Sequence, residues 1–209
     1  MERTSAMAEG SSRWLWFLSL SLVLMVVVVG VVVYDRLVGP AVPAPASGVA
    51  DDQVTARQAF APAAGLAGQW QEDARLAVVS GYRPAVGMQA GGQVEWAFQF
   101  FSPAAQRLAL ITVADGRARM VRESVSPYAV PTFSTGEWRV DSNQALQAWW
   151  SQGGKTLVAR RPDVDVAMQL RVPDGGVGHP VWTVVGSVAG TETAFTVVVD
   201  AADGALVEP

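Results

Sequence analysis

Cysteine is absent from this chain, histidine occurs once (His179) and lysine once (Lys155). Without cysteine there is no disulfide, no thiolate nucleophile and no thiolate metal site. With a single histidine there is no His-pair metal site, and any nucleophile–histidine couple would have to be built on His179. That residue lies in the loop-like stretch GVGHPVW, between Gly178 and Pro180, where a structural or solvated histidine is expected. Charge is also sparse, at 16% of residues. Arg3, Arg13 and Arg36 balance Glu2, Glu9 and Asp35 before position 51, so the whole formal charge of −4 falls in residues 51–209. No basic field is present to hold nucleic acid or anionic lipid heads.

The short motifs that would carry chemistry fail on inspection. GGVGHP has no final glycine of a phosphate loop and leads into a strand pattern instead of a helix. DVDVAM places Asp163 and Asp165 as a calcium loop would, then continues with Ala167 and Met168 where acid, amide or glycine is needed. VGSVAG puts glycine directly beside Ser187, which is not a nucleophile elbow. No catalytic, cofactor-binding or metal-ligating residue is assigned, no cofactor is expected, and a non-enzymatic role follows.

What the chain has in abundance is apolar residues, 50% of its 209, with a mean hydropathy of +0.24. The excess is local. Trp14 to Tyr34 reads WLWFLSLSLVLMVVVVGVVVY, uncharged and free of proline. At 1.5 Å per residue it spans about 31 Å, the thickness of a bilayer's hydrocarbon core. Trp14, Trp16 and Tyr34 stand at its ends, where amphipathic rings favour the headgroups. The run is longer than the hydrophobic region of a cleaved signal and is followed by Asp35-Arg36, so a retained anchor is expected. Arg3 and Arg13 before it, against Arg36 after it, favour a cytoplasmic N-terminus with the C-terminal domain outside the cell membrane. The proline-rich GPAVPAPASG that follows reads as an extended spacer.

Beyond the spacer the sequence reads as an internal duplication. VEWAFQFFSPAAQRLALITVADGRARMV aligns with PVWTVVGSVAGTETAFTVVVDAADGALV: Trp96 matches Trp182, and Asp115-Gly116 match Asp203-Gly204. Trp96, Phe98 and Phe100 alternate with Glu95, Ala97 and Gln99, which predicts a strand with one face on a core. In DVDVAMQLRV the same alternation sets Val164, Val166, Met168 and Leu170 on one face. Asp-Gly between apolar strands predicts tight hairpin turns in both copies. Upstream, DSNQALQAWW opens with the capping-box spacing Asp141–Gln144, and its helix is expected to end at Gly153-Gly154. The first copy opens with an Ala-rich helical stretch, weakened at Pro62, that turns to strand over Leu76 to Tyr82. Arg117, Arg119 and Arg122 are expected to blunt an edge strand, with contact to an acidic partner as the alternative. Trp149-Trp150 and Phe100-Phe101 are weighed as a partner patch, since one member of the Phe pair should point away from the first core layer.

The predicted fold class is α+β: a transmembrane helix, then two repeated units, each one helix on about four antiparallel strands, with both helices on one face of a shared sheet. The expected organisation is a tail at 1–13, the anchor at 14–36, the Pro/Ala-rich linker at 37–50, a first repeat at 51–127, a connector at 128–137 and a second repeat at 138–209.

The ending FTVVVDAADGALV resembles the C-terminal hairpin of PepSY domains, in which a strand ends in a Val-Asp-Ala-x-x-Gly turn before a short last strand. The start of DSNQALQAWW resembles the helix that opens such units, and the two copies together resemble tandem PepSY-like proteins on bacterial membrane anchors. The first copy departs from the pattern, because ADGRARMV lacks the Val-Asp-Ala lead. The resemblance implies a non-catalytic extracytoplasmic module that regulates or inhibits peptidases. Its implied partner is a peptidase or another envelope protein, besides the bilayer held by the anchor. A structural envelope component or small-ligand-binding domain is the alternative, and an exported hydrolase is a more remote one.

Overall fold

The computed structural model describes residues 54–85, 94–173 and 178–208. The anchor and linker expected at 14–50 lie outside the described residues, and no described helix is long and apolar enough to cross a membrane. The described part is α+β, with one antiparallel sheet of eight strands and few helices.

Helix α1, Ala56–Trp70, begins at a capping box: the Thr55 hydroxyl accepts the Gln58 N–H, and the Gln58 side chain accepts the Thr55 N–H at 2.8 Å. It runs through Pro62 without ending, although proline removes one backbone donor there. Strands β1 (Arg75–Arg83), β2 (Glu95–Ser102), β3 (Arg107–Ala114) and β4 (Arg117–Val125) follow as a meander. A connector from 126 to 140 leads to α2, Ser142–Trp149, which starts at the Asp141–Gln144 capping box the spacing predicts.

The helical run that α2 opens breaks at the glycine pair, as the sequence predicts, and a second helix follows. Gly153, at φ 145°, forms a π turn over Trp150–Gly154, and helical geometry resumes as α3, Lys155–Arg160. Gly154 is pressed beneath the Trp149 ring, where any Cβ would collide with it. The pair therefore ends one helical run at Gly153, turns the chain around an indole and lets a second run begin.

Strands β5 (Val164–Arg171), β6 (Val181–Val188), β7 (Ala194–Asp200) and β8 (Leu206–Val207) complete the sheet. The spatial order is β4-β3-β2-β1-β5-β6-β7-β8, every pair antiparallel. β1 and β5 meet at the centre with Ser80 opposite Gln169 and Gly81 opposite Met168.

The turns differ between the two halves. Asp115 and Gly116, at φ 50° and 72°, form a two-residue turn with Ala114 opposite Arg117, which matches the twist of the flanking strands. Asp203-Gly204 is not such a turn. Only Gly204 has positive φ (81°), and the loop spans four residues between Asp200 and Ala205. The Gly204 N–H reaches the Asp200 carbonyl at 3.0 Å, and the Asp200 side chain accepts the Ala202 N–H at 2.6 Å. The loop is widened because Ala201 is engaged elsewhere: its carbonyl accepts the N–H groups of Arg139 and Val140, and its N–H donates to Pro180.

The core lies on one face of the sheet, beneath α1 and α2. Trp96, Phe98 and Phe100 are buried there, as are Val164, Val166, Met168 and Leu170. Trp96 is the second residue of β2 and Trp182 the second of β6. The Trp96 indole N–H donates to the carbonyl of Val54, the residue before the α1 cap, at 2.8 Å. The Trp182 indole N–H donates to the carbonyl of Val140, the residue before the α2 cap, at 2.8 Å. The two rings meet edge-on with centroids 6.4 Å apart, and Trp138 and Phe60 extend the cluster. The helix starts also touch: the Ala56 N–H donates to the Ser142 hydroxyl oxygen at 3.0 Å, and the Arg57 N–H to the Asp141 carboxylate at 3.2 Å. A carboxylate thus lies between two helix N-termini, where it offsets their like partial charges.

Candidate interaction surface

Strand alternation sorts side chains into two faces, and the described helices cover only one of them. Val78, Ser80 and Tyr82 of β1 point away from the helices, as do Ala97 and Gln99 of β2 and Leu108, Leu110 and Thr112 of β3. Ala167, Thr183, Val185 and Val198 continue this face across the second half. These residues are half-buried by their neighbours in the sheet, and no helix lies over them among the described residues. The face mixes aliphatic and polar side chains, as a sheet surface open to water or to a partner does.

The sequence carries a signal for this face. LALITV in β3 is apolar at both alternating sets, so Leu108 and Leu110 were available as a second apolar face beside Ala109, Ile111 and Val113. The residue pairs singled out as a patch are mostly interior. Trp149 is fully buried, and its indole N–H donates to the Phe195 carbonyl at 2.9 Å. Phe100 is buried on the helix face, and Phe101 is only 5% exposed on the other. Trp150 is half-buried against Trp149.

The outer edges of the sheet differ in length. β4 is nine residues long and is the edge strand the arginine spacing predicts; β8, at the opposite edge, has two residues. Arg119 lies opposite Thr112 and Arg122 opposite Leu110, so both belong to the open face, and Arg117 opposite Ala114 continues their row. The shift in register between these pairs leaves Val121 as a bulge. Glu123 points to the helix side, where it accepts the Trp70 indole N–H at 2.9 Å and pairs with Arg107 at 3.1 Å. Of the large apolar residues exposed among the described residues, Val121 and Val125 lie on β4, Tyr128 just beyond it, and Leu206 and Val207 on β8.

A second concavity lies beside α1. A groove of about 590 Å³, open to solvent, has Phe60, Phe100 and Phe133 among its walls and Arg75 and Glu137 among its polar residues. The Glu137 carboxylate is engaged by the Ser134 N–H and hydroxyl, both at 2.7 Å. Those bonds, with a smaller contribution from His179, hold its carboxyl below the usual range. His179 itself is exposed before β6. Asp163 is bound by Arg161 at 3.0 Å, and Asp165 accepts the Ala85 N–H at 2.8 Å, so the two acids serve different local structures. Among the described residues no group of three His, Cys, Asp or Glu side chains is placed to hold a metal.

No family model, no curated protein and no solved structure matches the chain.

Proposed function

We propose that this chain is a membrane-anchored, extracytoplasmic, non-catalytic interaction module made of two PepSY-like repeats, and that it regulates or inhibits a peptidase or binds another envelope protein. The observation that carries the interaction role is the asymmetry of the sheet, which both helices seal on one side and no described helix covers on the other. Support for the duplication comes from the mirrored strand order and from the tryptophan of the second strand in each half, which donates to the residue before that half's helix cap. Support for the anchor is the uncharged run from Trp14 to Tyr34. The groove beside α1 favours the alternative of a small-ligand domain, since its floor is apolar, but its acid is already held by Ser134.

Crosslinking in intact cells, followed by mass spectrometry of the captured proteins, tests the proposal. Reproducible capture of a peptidase or envelope protein is expected, with protease added to spheroplasts digesting residues 51–209. Failure to capture any protein, together with hydrolysis of peptide or ester substrates that His179→Ala abolishes, would replace the module with an enzyme.

A further inference from the structure

The free edge of β4 has a chemical character of its own. Nine residues of backbone present their outer hydrogen-bonding groups, and among the described residues no strand, helix or loop pairs with them. Such an edge templates an added strand unless something prevents it. Arg117, Arg119 and Arg122 prevent one kind of addition: a second copy of β4 would bring like charges into register. They do not prevent, and instead favour, a strand of opposite charge. None of the three forms an ion pair with a described residue. The one acid of the strand, Glu123, is turned to the helix side and taken by Trp70 and Arg107. The edge is therefore basic on its open face in a domain whose overall charge is −4.

Apart from the Glu123–Arg107 pair, its other side is apolar. Ala118 and Met120 project toward the helix face, partly buried against the core, and Val121 and Val125 are exposed beside them. A strand added here would extend the core beyond Met120 with one set of side chains and meet the arginines with the alternate set.

We infer that β4 is a docking edge for an extended acidic segment of another protein. That segment is added as a ninth strand, with carboxylates alternating on the open face and aliphatic residues on the helix face. The inference rests on the interaction-module reading and supplies its surface and the chemistry of its partner. Main-chain hydrogen bonds hold the segment, and the arginine row selects it.

The test uses the 209-residue chain and a fluorescent peptide of alternating glutamate and valine, about eight residues long to match a strand. A lysine–valine peptide and an alternately N-methylated glutamate–valine peptide serve as controls. Fluorescence anisotropy is expected to show saturable binding of the acidic peptide, weakened by about tenfold or more in both control peptides and in the Arg119→Glu/Arg122→Glu variant. Arg119→Lys/Arg122→Lys is expected to keep most of the affinity. Thermal melting of both variants should match the unaltered chain, since both side chains are exposed. Absence of saturable binding, equal affinity for the lysine peptide, or indifference to N-methylation would each overturn the inference. So would concentration-dependent self-association that the Glu variant abolishes, which would assign the edge to β8 of a second copy. If crosslinking captures the same partner from cells carrying the Glu variant, the edge assignment falls while the module reading stands.

Discussion

Helix α1 meets the sheet with Ala56, Ala59, Ala63 and Ala67, and the strands it covers carry Trp96, Phe98, Phe100 and Ile111. Helix α2 meets the sheet with Ala145 and Trp149, and beneath it lie Gly186, Val184 and Val197. In the first half an alanine seam flanked by Phe60 lies on aromatic strands; in the second a single indole of the helix is seated on a strand glycine. A Cβ on Gly186 would run into the Trp149 ring, so the glycine is the socket for that side chain. The comparison teaches that a helix can be seated on this sheet either by small helix residues that let it approach or by one large side chain received by a glycine of the strand beneath.

The largest test converts the second packing toward the first. Trp149→Ala is expected to destabilise by about 3–5 kcal/mol, since it empties the socket and removes the bond to Phe195. Gly186→Val alone is expected to cost about 1–3 kcal/mol by overpacking. Together they should cost less than the sum, measured by denaturant unfolding, because each relieves the defect of the other. Strictly additive costs would show that the two sites do not share a volume.

Turn chemistry is the next contrast. Gly116→Val and Gly204→Val each place a β-branched residue at positive φ and are expected to lower stability by about 1–2 kcal/mol. The two losses should be similar although one turn has two residues and the other four. An unchanged melting temperature for either would remove the positive-φ requirement at that site.

A smaller effect of opposite sign is expected in α1, whose outer face has a vacant glycine. Gly65 is exposed within the helix, and a Cβ there would meet nothing. Gly65→Ala should stabilise by about 0.5–1 kcal/mol, read as a rise in melting temperature. A loss of stability would mean that Gly65 is held by something other than helix propensity.

The smallest effect concerns pH and belongs to the first half. Asp73 accepts the Ser102 hydroxyl at 2.6 Å and the Ala104 N–H at 2.7 Å, and these bonds hold its carboxyl below its ordinary value. The folded state thus favours the charged form. Its contribution is present above the ordinary carboxylate range near about pH 4 and is lost as pH falls through the lowered folded value. Asp73→Asn should lower the melting temperature at pH 7 and flatten its decline between about pH 4 and pH 2. An unaltered acid limb would show that this carboxylate does not couple to folding.

Much of the architecture was legible because period-2 alternation is a local signal. Val164, Val166, Met168 and Leu170 share the covered face as their spacing requires, and the arginines of β4 mark an edge. The features that were not legible depend on contacts between distant residues. Gly153-Gly154 is legible as a break, but the Trp149 ring pressed on Gly154 and the second helix from Lys155 are not. Asp203-Gly204 reads as a two-residue turn, yet Arg139, Val140 and Pro180 hold Ala201 and widen the loop. The second face is illegible for a different reason: Leu108 and Leu110 look like core in a strand apolar on both sides, and among the described residues it is the placement of both helices on the other face that leaves them without a helix over them. The fold was thus more legible than the surface, since burial follows pattern whereas availability follows from what the rest of the chain covers.

The central structural claim is that both halves form one sheet through β1 and β5, and the absence of cysteine makes it directly testable. Ser80 and Gln169 lie opposite one another across that seam, whereas Thr183 is one strand further away. Opposed residues of antiparallel strands bring their Cα atoms to about 4.5–5.5 Å, within disulfide reach, and a position two strands away is about 9–10 Å distant. Ser80→Cys/Gln169→Cys should therefore oxidise to an intramolecular disulfide, scored by mass shift on thiol labelling, while Ser80→Cys/Thr183→Cys should remain reduced. Crosslinking of the control pair as readily as the test pair, or of neither, would contradict the shared sheet on which the account rests.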